Sequence, residues 1–144
     1  MPIEKMSEET TQEGGCLCGD IRYRVTGAAL NVEYCHCGMC RKAGGAPTVV
    51  WVDFPRDRVV WVRGTPALYQ SSERAQRGFC PRCGSALLFQ WEGADFVSLT
   101  LGTLDHPEVF PPQSHIYEAD RVPWLRIADD SPRHPASRPK AAVQ

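Results

Sequence analysis

The chain has 144 residues, room for one hydrophobic core of ordinary domain size but not for two. Sixteen basic against seventeen acidic side chains leave a formal charge of −1, which supplies no field to recruit nucleic acid or an anionic membrane. No apolar run approaches the ~18 residues of a spanning helix, and the start MPIEKMSEETTQEGG lacks the apolar stretch of a cleavable signal peptide, so a cytoplasmic protein with no membrane or nucleic-acid partner is expected.

Residues 1–13 are polar and acidic without apolar periodicity and are expected to form a flexible N-terminal tail. The domain is expected over residues 14–128, and it opens with alternation. Ile21, Tyr23 and Val25 alternate with Arg22, Arg24 and Thr26, and Leu30, Val32 and Tyr34 repeat the period of two that marks half-buried strands. Further strands are predicted over 48–52, 59–63, 67–71, 86–91 and 96–101, runs rich in Val, Leu, Phe and Trp punctuated by Gly or Pro, with a weaker candidate over 115–117. No segment keeps apolar residues at i, i+3, i+4 and i+7 over three turns, and prolines are spread along the chain. The fold class is therefore mainly β. Residues 129–144 (DDSPRHPASRPKAAVQ) are proline-rich and polar and are expected to form a flexible C-terminal tail.

Seven cysteines fall into three groups: Cys16 and Cys18; Cys35, Cys37 and Cys40; Cys80 and Cys83. An odd count at this spacing, in a reducing cytosol, points to metal ligands rather than disulfides. In Cys-x-Cys on an extended segment both side chains leave the same face, and Cys-x-x-Cys brings two sulfurs together across a tight turn. Gly19, Gly38 and Gly84 follow cysteines, where positive φ would turn backbone N–H groups toward sulfur as in a zinc knuckle. Two pairs close a tetrahedral zinc site and a trio leaves one position open, so two zinc ions per chain are expected. The favoured partition sets Cys16, Cys18, Cys80 and Cys83 as the structural site, a long-range clamp on a small core, and Cys35, Cys37 and Cys40 as the working one. Pairing Cys35 and Cys37 with Cys80 and Cys83, leaving Cys16, Cys18 and Cys40 over, is an alternative that spacing does not exclude.

A further alternative completes the trio with His36, His106 or His115, although His36 lies on the opposite side of its strand-like segment. Three thiolates make a soft site that acidifies water less than a tris-histidine site does; a thiol suits its open position and would be deprotonated there. Arg41 and Lys42, directly after Cys40, are placed to offset the surplus negative charge or to hold a substrate carboxylate. His36 is the candidate for proton transfer to a carbonyl oxygen, whereas His115 reads as a satisfied structural histidine. Trp51, Trp61, Trp91 and Trp124 read as core or rim packing, and Glu33, Asp53 and Asp105 lack the spacing of an acid/base pair.

Taken in order, GGCLCGDIRYRV, CHCGMCRKAGGAP, FCPRCGSAL and SHIYEADRVPWL resemble the glutathione-dependent formaldehyde-activating enzyme family, also called the centromere protein V/Gfa domain, over about residues 14–128. The resemblance implies an Mss4-like fold of antiparallel β-sheets with zinc knuckles, a structural zinc on Cys16, Cys18, Cys80 and Cys83, and a catalytic zinc on Cys35, Cys37 and Cys40. The family's name-giving activity joins glutathione to formaldehyde as S-hydroxymethylglutathione, formally a carbon–sulfur lyase reaction in reverse. It thus implies a zinc-dependent carbon–sulfur lyase-like enzyme acting on a small thiol such as glutathione, or on a thiol–aldehyde adduct. A non-catalytic zinc-binding protein-interaction module is the competing expectation, since Mss4-like folds can bind proteins. No segment is identifiable that would recognise the γ-glutamyl or glycine ends of glutathione.

Overall fold

The period-two alternation builds two sheets in a computed structural model that describes residues 10–138. Strands β1 (Thr11–Gly15), β2 (Arg22–Thr26) and β5 (Val59–Arg63) form a three-stranded antiparallel sheet in the order β1-β2-β5. The larger sheet uses β3 (Asn31–Cys35), β4 (Val49–Pro55), β6 (Ala67–Ser72), β7 (Ala75–Phe79), β8 (Ala86–Trp91), β9 (Phe96–Thr100) and β10 (Ser114–Ile116), in the order β10-β3-β4-β9-β8-β7-β6. Its pairs are antiparallel except β10 with β3, which run parallel with His115 opposite Tyr34.

Tyr23 and Val25 of β2 are buried while Arg24 between them is exposed, as alternation demands. They join Val32, Val52, Phe54, Leu87, Leu99 and Phe110 in one core shared by both sheets. Phe54 meets Phe110 edge-on at 5.7 Å, and Tyr23 meets Trp61 edge-on at 5.5 Å. Truncating a fully buried aromatic such as Phe54 to alanine costs roughly 3–5 kcal/mol.

The mainly β expectation holds, with local differences. Strand β7 reads AQRGF, too polar to stand out, yet it is paired on both sides by β6 and β8. Gly78 is required within it, since a Cβ there would lie 2.6 Å from Leu88 Cγ. A seven-residue helix, α1 (Gly38–Gly44), follows β3 and is too short to show periodicity. Gly19 and Gly84 have the expected positive φ, 83° and 80°, but Gly38 does not: it is the first residue of α1, and the left-handed glycine lies after the helix at Gly45. Strand β1 begins at Thr11, inside the expected N-terminal tail; residues 1–9 of that tail lie outside the described residues.

The expected C-terminal tail also differs. Residues 129–138 form a strap along β10: the His115 amide donates to the Pro132 carbonyl at 2.9 Å, the His134 amide to the His115 carbonyl at 2.9 Å, and the Tyr117 amide to the Ala136 carbonyl at 3.0 Å. Residues 139–144 lie outside the described residues. At the strap's end Arg138 inserts its guanidinium among Glu33 (2.6 Å), Asn31 (2.5 Å) and Asp53 (3.9 Å). Glu33 is 6% exposed, and its burial pushes the carboxyl up to about 7 against the opposing pull of Arg138. Backbone pairing and one buried cation hold this segment, neither of which leaves an apolar pattern in sequence.

Ending the chain at Ala128 should lower stability by on the order of 3 kcal/mol or more relative to a chain ending at Arg138, because it leaves Glu33 and Asp53 buried without their cation; chemical denaturation of the two chains measures this. Glu33 also sets a pH dependence. A carboxyl raised from 4.5 to about 7 on folding contributes stability that is fully present below pH 4.5 and lost as the pH rises through about 7. The stability of the wild-type protein relative to Glu33→Gln should therefore fall by on the order of 3 kcal/mol across that window, whereas a difference flat with pH would contradict this burial effect.

Candidate metal centres and the adjoining cavity

The turn after β1 carries Cys16 and Cys18, and the turn between β7 and β8 carries Cys80 and Cys83. Gly19 and Gly84 let both turns close. The four sulfurs all lie within 4.8 Å of one another, with 3.6 Å between Cys16 and Cys18 and 3.8 Å between Cys18 and Cys80. Thiolates at about 2.3 Å from a tetrahedral zinc stand about 3.8 Å apart, so the donor set fits that ion. Backbone N–H groups point at the sulfurs as a knuckle requires: Ile21 N to Cys16 Sγ at 3.3 Å and Cys83 N to Cys80 Sγ at 3.4 Å. The Ser85 hydroxyl, 3.2 Å from Cys83 Sγ, together with the Ser85 amide holds the Cys83 thiol down to about 5.

The second cluster joins Cys35 at the end of β3, Cys37 at the N-cap of α1 and Cys40 in its first turn, again within 4.8 Å. Among the described residues no fourth Cys, His, Asp or Glu atom completes it. Sharing with Cys35, and then with Cys40, holds the Cys37 thiol down to about 2, while the contact with Cys37 pushes Cys35 up. Two further donors address Cys40: Trp51 Nε1 at 3.4 Å, and both Nη1 and Nη2 of Arg77 at 3.7 Å. The Arg77 guanidinium lies over the Phe89 ring, 4.9 Å from its centroid. Arg77 makes no carboxylate ion pair among the described residues, and its buried Nε has no hydrogen-bond partner.

His36 points away from the sulfurs. Fully buried, its Nε2 is 2.9 Å from Nδ1 of His115, whose own Nε2 is 2.9 Å from Asp129 Oδ2. Tyr34 stacks on His115 at 4.6 Å. Burial pushes the His36 imidazole down, against the opposing charge of Glu118. Glu118 Oε2 lies 3.4 Å from His36 and 3.8 Å from His115, so these three residues form another potential ligand group, but the facing nitrogens of two nearly parallel rings are too close for an ion between them. They are hydrogen-bonded to each other. His106 pairs with Glu108 instead of approaching the trio. Asp105 is held bidentate by Arg22.

Of the tryptophans, Trp51 touches the trio, Trp61 packs on Tyr23, Trp91 packs edge-on against Phe89, and Trp124 is 71% exposed. The cation brought to Cys40 is Arg77, not Arg41 or Lys42. Nothing local in sequence marks Arg77, because it reaches Cys40 from another strand of the sheet. Tyr117, also missed, packs against the trio with φ 54°, the one positive-φ residue other than glycine among those described. Burial and the three neighbouring thiols raise its phenol.

A cavity of about 280 Å³ lies between α1 (Ala43, Gly44) and walls that include Trp51, Arg77, Tyr69 and Phe79; no cysteine of the trio lines it, but Trp51 and Arg77 connect it to Cys40. A second, of about 320 Å³, lies between His115, Glu118, the 121–127 segment and Arg133. No helix among the described residues is long and apolar enough to cross a membrane.

A family model described as glutathione-dependent formaldehyde-activating enzyme matches residues 11–120. Among solved structures, a protein of Rhodobacter sphaeroides is similar, with a TM-score of 0.54 and 25% sequence identity, covering 65% of this chain and 87% of that chain.

The two clusters should respond differently to loss of one sulfur. Cys83→Ser should lower thermal stability strongly, because it opens a clamp between segments 62 positions apart and a closed thiolate site adds on the order of 10 kcal/mol of metal-binding free energy to folding. Cys37→Ser should leave thermal stability near wild type; equal losses would make the trio structural as well.

Proposed function

The chain belongs to the glutathione-dependent formaldehyde-activating enzyme family, and from that membership we propose a zinc enzyme that makes or breaks a carbon–sulfur bond in a small thiol or thiol–aldehyde adduct. The observation that carries this is the trio Cys35, Cys37 and Cys40: three mutually close sulfurs with no fourth protein ligand among the described residues, joined to an open cavity through Trp51 and Arg77. Cys16, Cys18, Cys80 and Cys83 are assigned to a structural zinc. A zinc ion on the trio would take a thiol as its fourth ligand and keep that sulfur ionised at neutral pH.

The chain's own residues supply position and charge. Cys35 and Cys37 fix the trio on the end of β3 and the cap of α1, and Cys40 is oriented by Trp51. Arg77 adds a positive charge against the surplus of thiolates. His36, locked to His115 and Asp129, acts as a positioning residue that fixes the segment between Cys35 and Cys37 from behind. In the synthetic direction the sulfur lone pair forms the C–S bond, the carbonyl π pair moves to oxygen, and water supplies the proton; lysis reverses each movement. Holding sulfur and carbonyl together supplies most of the needed acceleration, because aldehydes already react with thiols. We place the protein in the cytoplasm, where a reducing poise keeps the cysteines available, with glutathione among its candidate thiols.

Elemental analysis of protein purified without chelator should return two zinc ions per chain; one or none after metal supplementation would defeat the two-site assignment. With cobalt in the trio, adding a thiol should change the visible spectrum, and Cys40→Ser should abolish the change. A spectrum indifferent to every thiol, in protein carrying both metals, would favour a non-catalytic interaction module instead.

A further inference from the structure

The cavity beside α1 reaches the trio through two of its wall residues, Trp51 and Arg77, both of which contact Cys40. Among the described residues Arg77 is the one charged side chain in its lining, and the remaining walls are aliphatic, aromatic or glycine apart from Thr100. The guanidinium is held over Phe89 and presses both terminal nitrogens toward Cys40 at 3.7 Å, a long contact to a weak acceptor. Arginine has five N–H donors in a fixed fork, and here, among the described residues, Nε is buried with no partner and no carboxylate neutralises the group. Such a cation can still receive an anionic oxygen. Trp51, Tyr69 and Phe79 surround it with apolar surface.

We propose that this cavity is the substrate cleft and that Arg77 selects a compact, largely apolar thiol carrying one anionic group close to its sulfur. The proposal rests on the thiol chemistry assigned to the trio and narrows its substrate class. Glutathione carries two carboxylates and an ammonium group. The lining offers one cation and no acidic side chain, so its ammonium and second carboxylate would gain nothing from these walls. A cleft of about 280 Å³ suits a smaller molecule with an apolar body.

Isothermal titration of the zinc-loaded protein with 2-mercapto-3-phenylpropanoate, its methyl ester and glutathione tests this. The acid should bind on the order of tenfold more tightly than the ester, the usual worth of a charge-assisted hydrogen bond, and more tightly than glutathione. Arg77→Met should abolish the preference of acid over ester, and Arg77→Lys should retain part of it. On the wild-type protein the acid should also shift the Trp51 indole N–H resonance, which does not depend on how either variant folds. An acid-to-ester ratio near one in the wild type, survival of the preference in Arg77→Met, an unmoved Trp51 resonance, or glutathione binding at least as tight as the acid, would each overturn the proposal and leave the thiol chemistry standing. Failure of all three thiols to bind would overturn both.

Discussion

Crowding of like groups is the constraint around which this structure is arranged. Seven thiols gather into two clusters whose sulfurs lie within 4.8 Å of one another, an arrangement that ionised sulfurs tolerate only around a cation or by sharing protons. The four-sulfur cluster stands where the small sheet meets the large one, since Cys16 and Cys18 follow β1 while Cys80 and Cys83 follow β7. A domain of this size buries a modest core, and an ion held by the four sulfurs would supplement what Tyr23, Phe54 and Phe110 provide. The three-sulfur cluster lacks that bracing function. It ends one strand and begins one helix, both already fixed by the large sheet.

The cysteine grouping is legible in the sequence because it depends on local rules: side-chain alternation in Cys-x-Cys, the tight turn in Cys-x-x-Cys, and glycines at Gly19 and Gly84. Strands with a buried and a wet face are legible for the same reason. What escapes is whatever tertiary pairing decides. Strand β7 is polar because its backbone ladders, not its side chains, place it, and α1 spans under two turns. Gly38 looks like a turn glycine, yet the capping bond from the Cys40 amide to Cys37 Sγ at 3.3 Å makes it helical. Arg77 and Arg138 act across dozens of residues, and Asp129 acts on His115 across 14, and none leaves a periodic trace.

Behind the trio lies a second, polar interior. His36, His115, Asp129 and Glu118 link the ligand-bearing segment to the strap, with Arg121 at 2.9 Å and Arg133 at 3.6 Å balancing Glu118. Buried polar groups of this kind are costly unless partnered, and partnered they admit few alternative arrangements. The separation of tasks is physical: Arg77 stands between the sulfurs and the cavity beside α1, while imidazoles and carboxylates hold the same backbone from behind.

The strap gives the order of events during synthesis a particular form. Strand β3 carries Cys35 and stands beside β4 early, but its other neighbour, β10, emerges some eighty residues later, and Arg138 meets Asn31 across 107 positions. Loop closure over such distances is slow, and until it happens the outer ladder of β3 and the carboxylate of Glu33 face water. The nascent chain therefore presents an open β3 edge beside the Cys35 thiol until residues 114–116 are made, and an unpaired Glu33 until Arg138 is made. A metal ion captured early by the trio would shield those thiols through that interval, coupling ion supply to the yield of correctly folded chains rather than to their final stability alone.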